Sequence, residues 1–324
     1  MFSFDPEKIR AEYAAQGWVH IKDAIDPDFF EYLRAFTEQQ LAVTKLDRFA
    51  IKGKKEQSLF EFPDGKDYLP EMFDIVSTVA GLKRPTMTLS ERHIQAYEPN
   101  ADPNPAAHKD RFPSQVSIGF SVAIPPGSQL VLYPEDYREL NQFNAAAALR
   151  RRLQPHEKPE TVLPAARELV LDDEEGDVVM FPGSTTWHLR RNAANTVNLY
   201  LKMNDFDCDP LGEDPGTLAR RERTLELLAD DREALGEHRP KLTRRLDYIG
   251  RQSARPGGDE TMHYSLYGEE ALGLTETQLE LLRAADGTRS LDSLIVEIAN
   301  GGDATEVRRD ALVLIQDGGL DLLG

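Results

Sequence analysis

Glu175-Gly176-Asp177-Val178-Val179-Met180-Phe181-Pro182-Gly183, followed after Ser184-Thr185-Thr186 by Trp187-His188, is the stretch on which the fold turns. It reads as a turn, a buried strand and a second turn, with a histidine placed just beyond. The same punctuation continues on both sides. Short β-rich runs separated by Pro, Gly and Asp clusters cover Thr86 to Tyr97, Gln115 to Ile124, Gln129 to Tyr133, Glu168 to Leu171, Asp177 to Phe181 and Thr196 to Met203. That pattern predicts a mainly β architecture, a sandwich or barrel, with flanking helices. Pro134 to Arg152, rich in Ala and Arg, is expected to be a helical insertion near the barrel mouth.

Upstream, Asp5-Pro6-Glu7 supplies an N-cap, a first helical residue and a first-turn acid, so a helix should run to about Gln16 and stop at Gly17. Trp18 to Ile21 follows as a short strand. Asp26-Pro27 opens a second helix with Phe29, Phe30, Leu33 and Phe36 on one stripe. Downstream the signal turns helical and charged. A helix is expected over Thr217 to Leu228, and Arg255-Pro256-Gly257-Gly258-Asp259 reads as a linker. Three helix-sized patterns then cover Leu279 to Ala285, Leu291 to Ala299 and Glu306 to Ile315, before Gly318-Gly319 and the apolar end Leu320 to Leu323, the outline of a small winged-helix-like module. The expected division is a β domain with N-terminal helices over 1–205, a helical connector over 206–262 and the module over 263–324.

The formal charge of −18, from 38 basic and 56 acidic side chains in 324 residues, argues against nucleic acid or an anionic membrane as partner. The one cysteine, Cys208, excludes an intramolecular disulfide; its acidic neighbours Asp205, Asp207 and Asp209 disfavour a thiolate. A cytoplasmic setting is the expectation, since the start Met-Phe-Ser-Phe-Asp-Pro lacks the features of a signal peptide and no apolar run approaches a membrane span.

The candidate chemistry begins at Ala107-His108-Lys109-Asp110. In an extended segment residues i and i+2 point the same way, so the His108 imidazole and the Asp110 carboxylate can reach one ion. Redox iron(II) is held by two imidazoles and a carboxylate on one face, leaving the opposite positions open. His188, after the turn that ends the 177–181 strand, sits where a third ligand facing back across a barrel is required. The bland alternatives are a surface ion pair for His108-x-Asp110 and a packed structural histidine for His188.

These residues carry a resemblance. The chain looks like a member of the phytanoyl-CoA dioxygenase-like branch of the iron(II) and 2-oxoglutarate-dependent oxygenases. Gly17 to Pro27 is similar to that family's opening strand and helix, Gln95 resembles its strand leading into the metal motif, and Gly176 to Gly183 with Trp187-His188 resembles its second metal motif. The resemblance covers about residues 5 to 204. It implies a double-stranded β-helix (jelly roll), iron(II) on His108, Asp110 and His188, and O2 and 2-oxoglutarate as cosubstrates. It further implies that the far carboxylate of 2-oxoglutarate meets a basic residue on the last core strand. The family's usual arginine would fall at Asn198, which carries no charge. Strand alternation puts Asn198, Tyr200 and Lys202 on the face opposite Val197, Leu199 and Leu201, so Lys202 is the candidate substitute cation, with Asn198 or Tyr200 adding a hydrogen bond; a solvated strand-end lysine is the alternative. Arg190, Arg191 and Arg92 are reserves. An aspartate at 110, where the related halogenases have a small residue, favours hydroxylation or desaturation.

Three functions are weighed on these residues: an oxygenase acting on a small molecule or a carrier- or peptide-bound substrate; a cupin-like metalloenzyme that does not use 2-oxoglutarate; and a winged-helix regulator with a barrel sensor. Residues 263–324 hold twelve acids against four arginines, the wrong sign for a DNA reader. The module is therefore expected to serve dimerisation, to cover the site, or to dock a peptide or carrier protein.

Overall fold

The computed structural model describes residues 1–42, 49–51, 55–230, 234–253 and 260–324, and the linker expected at 255–259 lies outside these. The chain forms two compact units, Met1–Asp207 and Cys208–Gly324.

The first unit starts with helix α1 (Pro6–Gln16), capped by the Asp5 side chain, which accepts the Glu7 N–H, and ended by Gly17 at φ 78°. Strand β1 (Val19–Ile21) and α2 (Pro27–Ala42) follow, then β2 (Phe49–Ile51), β3 (Lys55–Leu59), α3 (Tyr68–Ala80), β4 (Thr88–Tyr97), β5 (Val116–Ala123) and β6 (Gln129–Tyr133). Next come two short helices, α4 (Ala146–Arg152) and α5 (Pro159–Val162), and strands β7 (Leu169–Leu171), β8 (Val178–Phe181), β9 (Trp187–Arg191) and β10 (Val197–Asn204). The six expected strands all form, within two residues at each end. The insertion expected to be helical from Pro134 is helical only from Ala146, since the stretch before it, with Pro134, Asp136 and Asn141, is turn-forming.

Seven strands pair in the order β1-β8-β5-β10-β4-β3-β2 and three in the order β7-β6-β9, every pairing antiparallel. A two-way backbone bridge between His108 and His188 adds the segment around His108 to the free side of β9. The chain runs from the larger sheet (β4) to the smaller (His108), back to β5, across to β6 and β7, back to β8, across to β9 and home to β10. This alternation is consistent with a jelly-roll core. Helices α2 and α3 bury Phe29, Leu33, Met72 and Val76 against Leu89, Ile118, Phe120, Leu199 and Leu201 of the larger sheet. One side of that sheet is thereby closed with apolar packing, and its polar side is left for a site.

The second unit comprises α6 (Pro215–Asp230), β11 (Arg239–Leu242), β12 (Leu246–Ser253), β13 (Glu260–Leu266), β14 (Leu272–Gly273), α7 (Glu276–Ala284), α8 (Leu291–Ala299), α9 (Ala304–Gln316) and β15 (Leu320–Leu323). Strand β15 pairs with β11, and β12-β13-β14 form a second small sheet. The three helices share a core of Leu281, Leu282, Leu291, Leu294, Ala311 and Ile315. The stretch 206–262, expected as a helical connector, holds strands β11 and β12 besides α6, and its described residues from Cys208 on belong to this unit. In β12 and β13 the alternation is broken by charged and polar residues, which hid the hairpin from a reading by hydrophobic period.

Candidate metal centre

His108, Asp110 and His188 converge, each offering one ligand atom, and these atoms lie within 4.8 Å of one another. The backbone does most of the convergence. His108 and His188 exchange two N–H···O bonds of 2.9 Å, which fixes their imidazoles side by side with ring centroids 4.3 Å apart. The Asp110 N–H donates to the Gly183 carbonyl at 2.9 Å, and the Asn141 amide donates to the Asp110 carbonyl at 2.8 Å. Gly183 can hold no side chain here, because a Cβ would collide with Ser117 Oγ and Asp110 Oδ2.

Asp110 Oδ1 lies 3.9 Å from His108 Nε2 and 3.7 Å from His188 Nε2. His188 Nδ1 faces the Thr186 carbonyl at 3.0 Å, a pairing that needs the proton on Nδ1 and leaves the Nε2 lone pair toward Asp110. Asp110 Oδ2 accepts from Ser117 Oγ at 2.7 Å. His188 and Asp110 are buried, whereas the His108 side chain is 41% exposed, so the cluster is open on the His108 side. Two imidazoles and a carboxylate, with an open side, form a donor set suited to a divalent first-row metal.

Lys202 projects from β10 onto the same carboxylate, its Nζ 2.9 Å from Asp110 Oδ1 and 2.7 Å from Glu91 Oε1. Arg111 closes the cluster with Nε and Nη2 at 3.1 and 3.0 Å from Glu91 Oε2. Burial opposes ionisation of all three buried groups, but the opposite charges win. The Lys202 ammonium, joined at Glu91 by Arg111, holds Asp110 and Glu91 below the usual carboxylate range, and those two carboxylates hold Lys202 above the usual lysine range.

The residues proposed for the cosubstrate separate into two groups. Asn198 is paired across strands with Gln95 on β4, on the inner face that also carries Tyr97, Tyr200 and Lys202. Arg190, inward-facing two residues beyond His188, holds Asp173 through two bonds of 2.7 and 2.9 Å, and Asp173 also accepts from Ser121 Oγ at 2.6 Å. Arg190 interacts with the Tyr200 hydroxyl as well. Burial raises the pKa of both Tyr97 and Tyr200, which keeps these phenols protonated as donors. Among the described residues, Asn198 Nδ2, Asn198 Oδ1 and Arg190 Nε are buried without a hydrogen-bond partner. The reserves Arg92 and Arg191 point elsewhere: Arg92 to the Phe60 carbonyl and Glu61, Arg191 to Glu168 at 3.0 Å. A cleft of about 720 Å³ beside Arg191, lined by Ala107, Tyr133, Leu163 and Leu189, lies on the outward side of β9 and includes none of His108, Asp110 and His188.

Ser117, Gly183, Glu91 and Asp173 were missed in the sequence. Ser117, Gly119 and Ser121 alternate with Ile118, Phe120 and Val122 on β5, a row of small residues that marks the crowded inner face. Glu91 is a carboxylate in the middle of a strand, a signal of the same kind.

No protein family described by sequence matches the chain, and no curated protein matches it. Solved structures similar to part of it include the non-heme alpha ketoglutarate dependent epimerase SnoN from nogalamycin biosynthesis, at 14% identity over 62% of this chain and 83% of that one, with a TM-score of 0.44. A prolyl-4-hydroxylase of Pseudomonas putida matches at 16% identity over 61% and 98%, TM-score 0.41. HygX of Streptomyces hygroscopicus, with nickel and 2-oxoglutarate bound, matches at 10% identity over 64% and 89%, TM-score 0.42.

Proposed function

We propose that the first unit is an iron(II)- and 2-oxoglutarate-dependent oxygenase that binds its metal through His108, Asp110 and His188. The observation that carries this reading is the convergence of the three ligand atoms, buried on the Asp110 side and open at His108. When bound, iron(II) with 2-oxoglutarate and O2 supplies the oxidising power for attack on a C–H bond. The chain's own residues position and insulate. Ser117 and Lys202 fix the two oxygens of Asp110, and Thr186 fixes the His188 tautomer.

Charge favours a dianionic cosubstrate. Glu91 and Asp110 are matched by Lys202 and Arg111, so a divalent cation adds two positive charges to a balanced cluster, and a dicarboxylate restores neutrality. Its far carboxylate is assigned to Asn198 and Arg190, whose unpartnered atoms are otherwise costly to bury, with Tyr200 as a further donor. Lys202, bonded to Asp110 and neutralised by two carboxylates, is not assigned to that task. The substrate is a small molecule or one presented on a carrier or peptide, and hydroxylation or desaturation is the reaction class. The phytanoyl-CoA dioxygenase-like branch is the family we favour, with a cytoplasmic site of action. No helix among the described residues is long and apolar enough to cross a membrane. The second unit, with its helices α7 to α9 and strand β15, is read as a winged-helix-like module for dimerisation or for docking an uncharged or basic peptide.

One observation favours a second reading, a metal barrel that does not use 2-oxoglutarate: Arg190 is already held by Asp173 through both of its terminal nitrogens. The anaerobic protein with iron(II) decides between them. Addition of 2-oxoglutarate should produce the weak visible charge-transfer band of the chelate, and no band with metal bound supports the second reading.

A further inference from the structure

Charges alternate in sign along a buried line that starts at Asp110. Its Oδ1, the oxygen facing both imidazoles, is 2.9 Å from Lys202 Nζ. Lys202 Nζ is 2.7 Å from Glu91 Oε1, and Glu91 Oε2 is 3.0 Å from Arg111 Nη2. Strand register builds the middle of the line, because Lys202 on β10 is the direct cross-strand partner of Glu91 on β4. The side chains of Asp110, Lys202 and Glu91 are all at most 7% exposed, so water screens none of these charges well.

An ammonium bonded to the same oxygen that a metal must share is within about 5 Å of that metal, given a metal–oxygen distance of about 2.1 Å. It therefore does two opposed things: it orients the carboxylate, and it repels the cation. Glu91 offers the metal no atom, yet it sits on the far side of the ammonium and cancels its field. We infer that Glu91 is a positioning residue for the metal: it neutralises Lys202, so that Lys202 can clamp Asp110 Oδ1 without expelling a divalent cation. This rests on the reading of His108, Asp110 and His188 as a metal site.

The test is calorimetric titration of the full chain with Mn(II), a redox-stable stand-in, for wild type, Asp110→Ala, Glu91→Gln, Lys202→Met and the double variant Glu91→Gln/Lys202→Met. Glu91→Gln should weaken Mn(II) binding about 10- to 100-fold, the usual cost of losing an outer partner of a ligand. The double variant, in which the repelling charge is also gone, should return to within about threefold of wild type. A role in packing alone would make the double variant at least as weak as Glu91→Gln, and that result overturns the inference. So does a Glu91→Gln affinity within threefold of wild type. If Glu91→Gln does not fold, Lys202→Met decides: removal of the repelling ammonium, with Glu91 still paired to Arg111, should tighten Mn(II) binding, and weaker binding overturns the inference. Failure of the underlying site is a separate result. Wild type that binds no Mn(II), or Asp110→Ala that binds it undiminished, removes the metal site and this inference with it.

Discussion

Gly183 and Asp110 are locked face to face: the Gly183 carbonyl accepts the Asp110 N–H at 2.9 Å, and the space a Cβ would need at Gly183 is taken by Asp110 Oδ2 and its partner Ser117 Oγ. Neither group can retreat, since Asp110 Oδ1 is held by Lys202 and Ser117 lies on a central strand. Gly183→Ala should thus displace the carboxylate, costing roughly 1 to 3 kcal/mol of stability by overpacking. It should also weaken metal binding more than any alanine placed on the exposed face of α1. Thermal melts and Mn(II) titration check it. Unchanged metal affinity would mean that Asp110 has room the structure does not show.

The ligands themselves give the plainest prediction. His108→Ala, Asp110→Ala and His188→Ala should each abolish tight metal binding while the circular dichroism spectrum stays β-rich. Asp110→Ala should cost the most stability of the three, because it leaves Lys202 buried with only Glu91 as carboxylate partner. A variant among the three that binds metal as wild type does is not a ligand.

How far the sequence could be read follows from what each element depends on. Helix α1 was legible to the residue because its signals are local: the Asp5 cap, Pro6 and the left-handed Gly17. The candidate cluster of His108, Asp110 and His188 was legible because residue type and strand parity are local too. Lys202 was read onto the inner face of β10, but its bonds there to Glu91 and Asp110 were not. Parity says which side a side chain takes, and only the register of β10 against β4, with Glu91 opposite, says what it meets there. Helix α3 escaped although Asp67 caps it, Gly81 ends it at φ 73° and Met72, Phe73, Val76 and Val79 form its buried stripe, since Pro70 in its first turn reads locally as a break. Arg92 was offered as pocket-facing because nothing local reveals the Phe60 carbonyl and Glu61 that claim it.

Asp177 should make the β1–β8 junction acid-sensitive. Its carboxylate accepts the backbone N–H groups of Asp23 at 3.1 Å and Glu174 at 2.9 Å, and it meets His20 Nε2 at 2.7 Å and Lys22 Nζ at 3.0 Å. Burial pushes its pKa up, but these donors outweigh burial and the net shift is downward from 3.8. A carboxyl with a depressed folded pKa gives stability that is fully present above the unfolded value and is lost as pH falls through the folded one. Asp177→Asn should therefore destabilise by roughly 1 to 2 kcal/mol at pH 7, allowing for solvent screening. The gap between variant and wild type should shrink below about pH 4. Urea melts at pH 7 and pH 3.5 measure it; a gap that persists unchanged in acid would show that Asp177 acts through shape and not charge.

Truncation tests the division into units. Every partner named above for His108, Asp110 and His188 lies within Met1–Asp207. A chain ending at Asp207 should thus stay folded and bind Mn(II) within about threefold of the full protein, if the first unit has its own core. Insolubility, or a metal-free product, would show that Cys208–Gly324 completes the first unit.

Asn198 provides the sharpest test of the cosubstrate. Both polar atoms of its amide are buried and unpartnered among the described residues, as is Arg190 Nε. A buried primary amide without partners is costly unless something else occupies the space between the sheets. A carboxylate accepting from Asn198 Nδ2, Arg190 Nε and the protonated Tyr200 would satisfy all three donors at once. Asn198→Ala removes one neutral donor and should raise the 2-oxoglutarate concentration needed for the charge-transfer band by roughly 5- to 15-fold, about 1 to 1.5 kcal/mol at 1.4 kcal/mol per tenfold. Mn(II) affinity should not change, because Asn198 bonds neither a ligand nor a partner of one. Lys202→Met supplies the opposite pattern, a change in metal affinity that precedes any change in 2-oxoglutarate requirement at saturating metal. Were Asn198→Ala to leave the requirement within threefold while Lys202→Met raised it at saturating metal, the far carboxylate would belong to Lys202 after all. Were neither to matter, and no band to form, the barrel would be a metalloenzyme that works without 2-oxoglutarate.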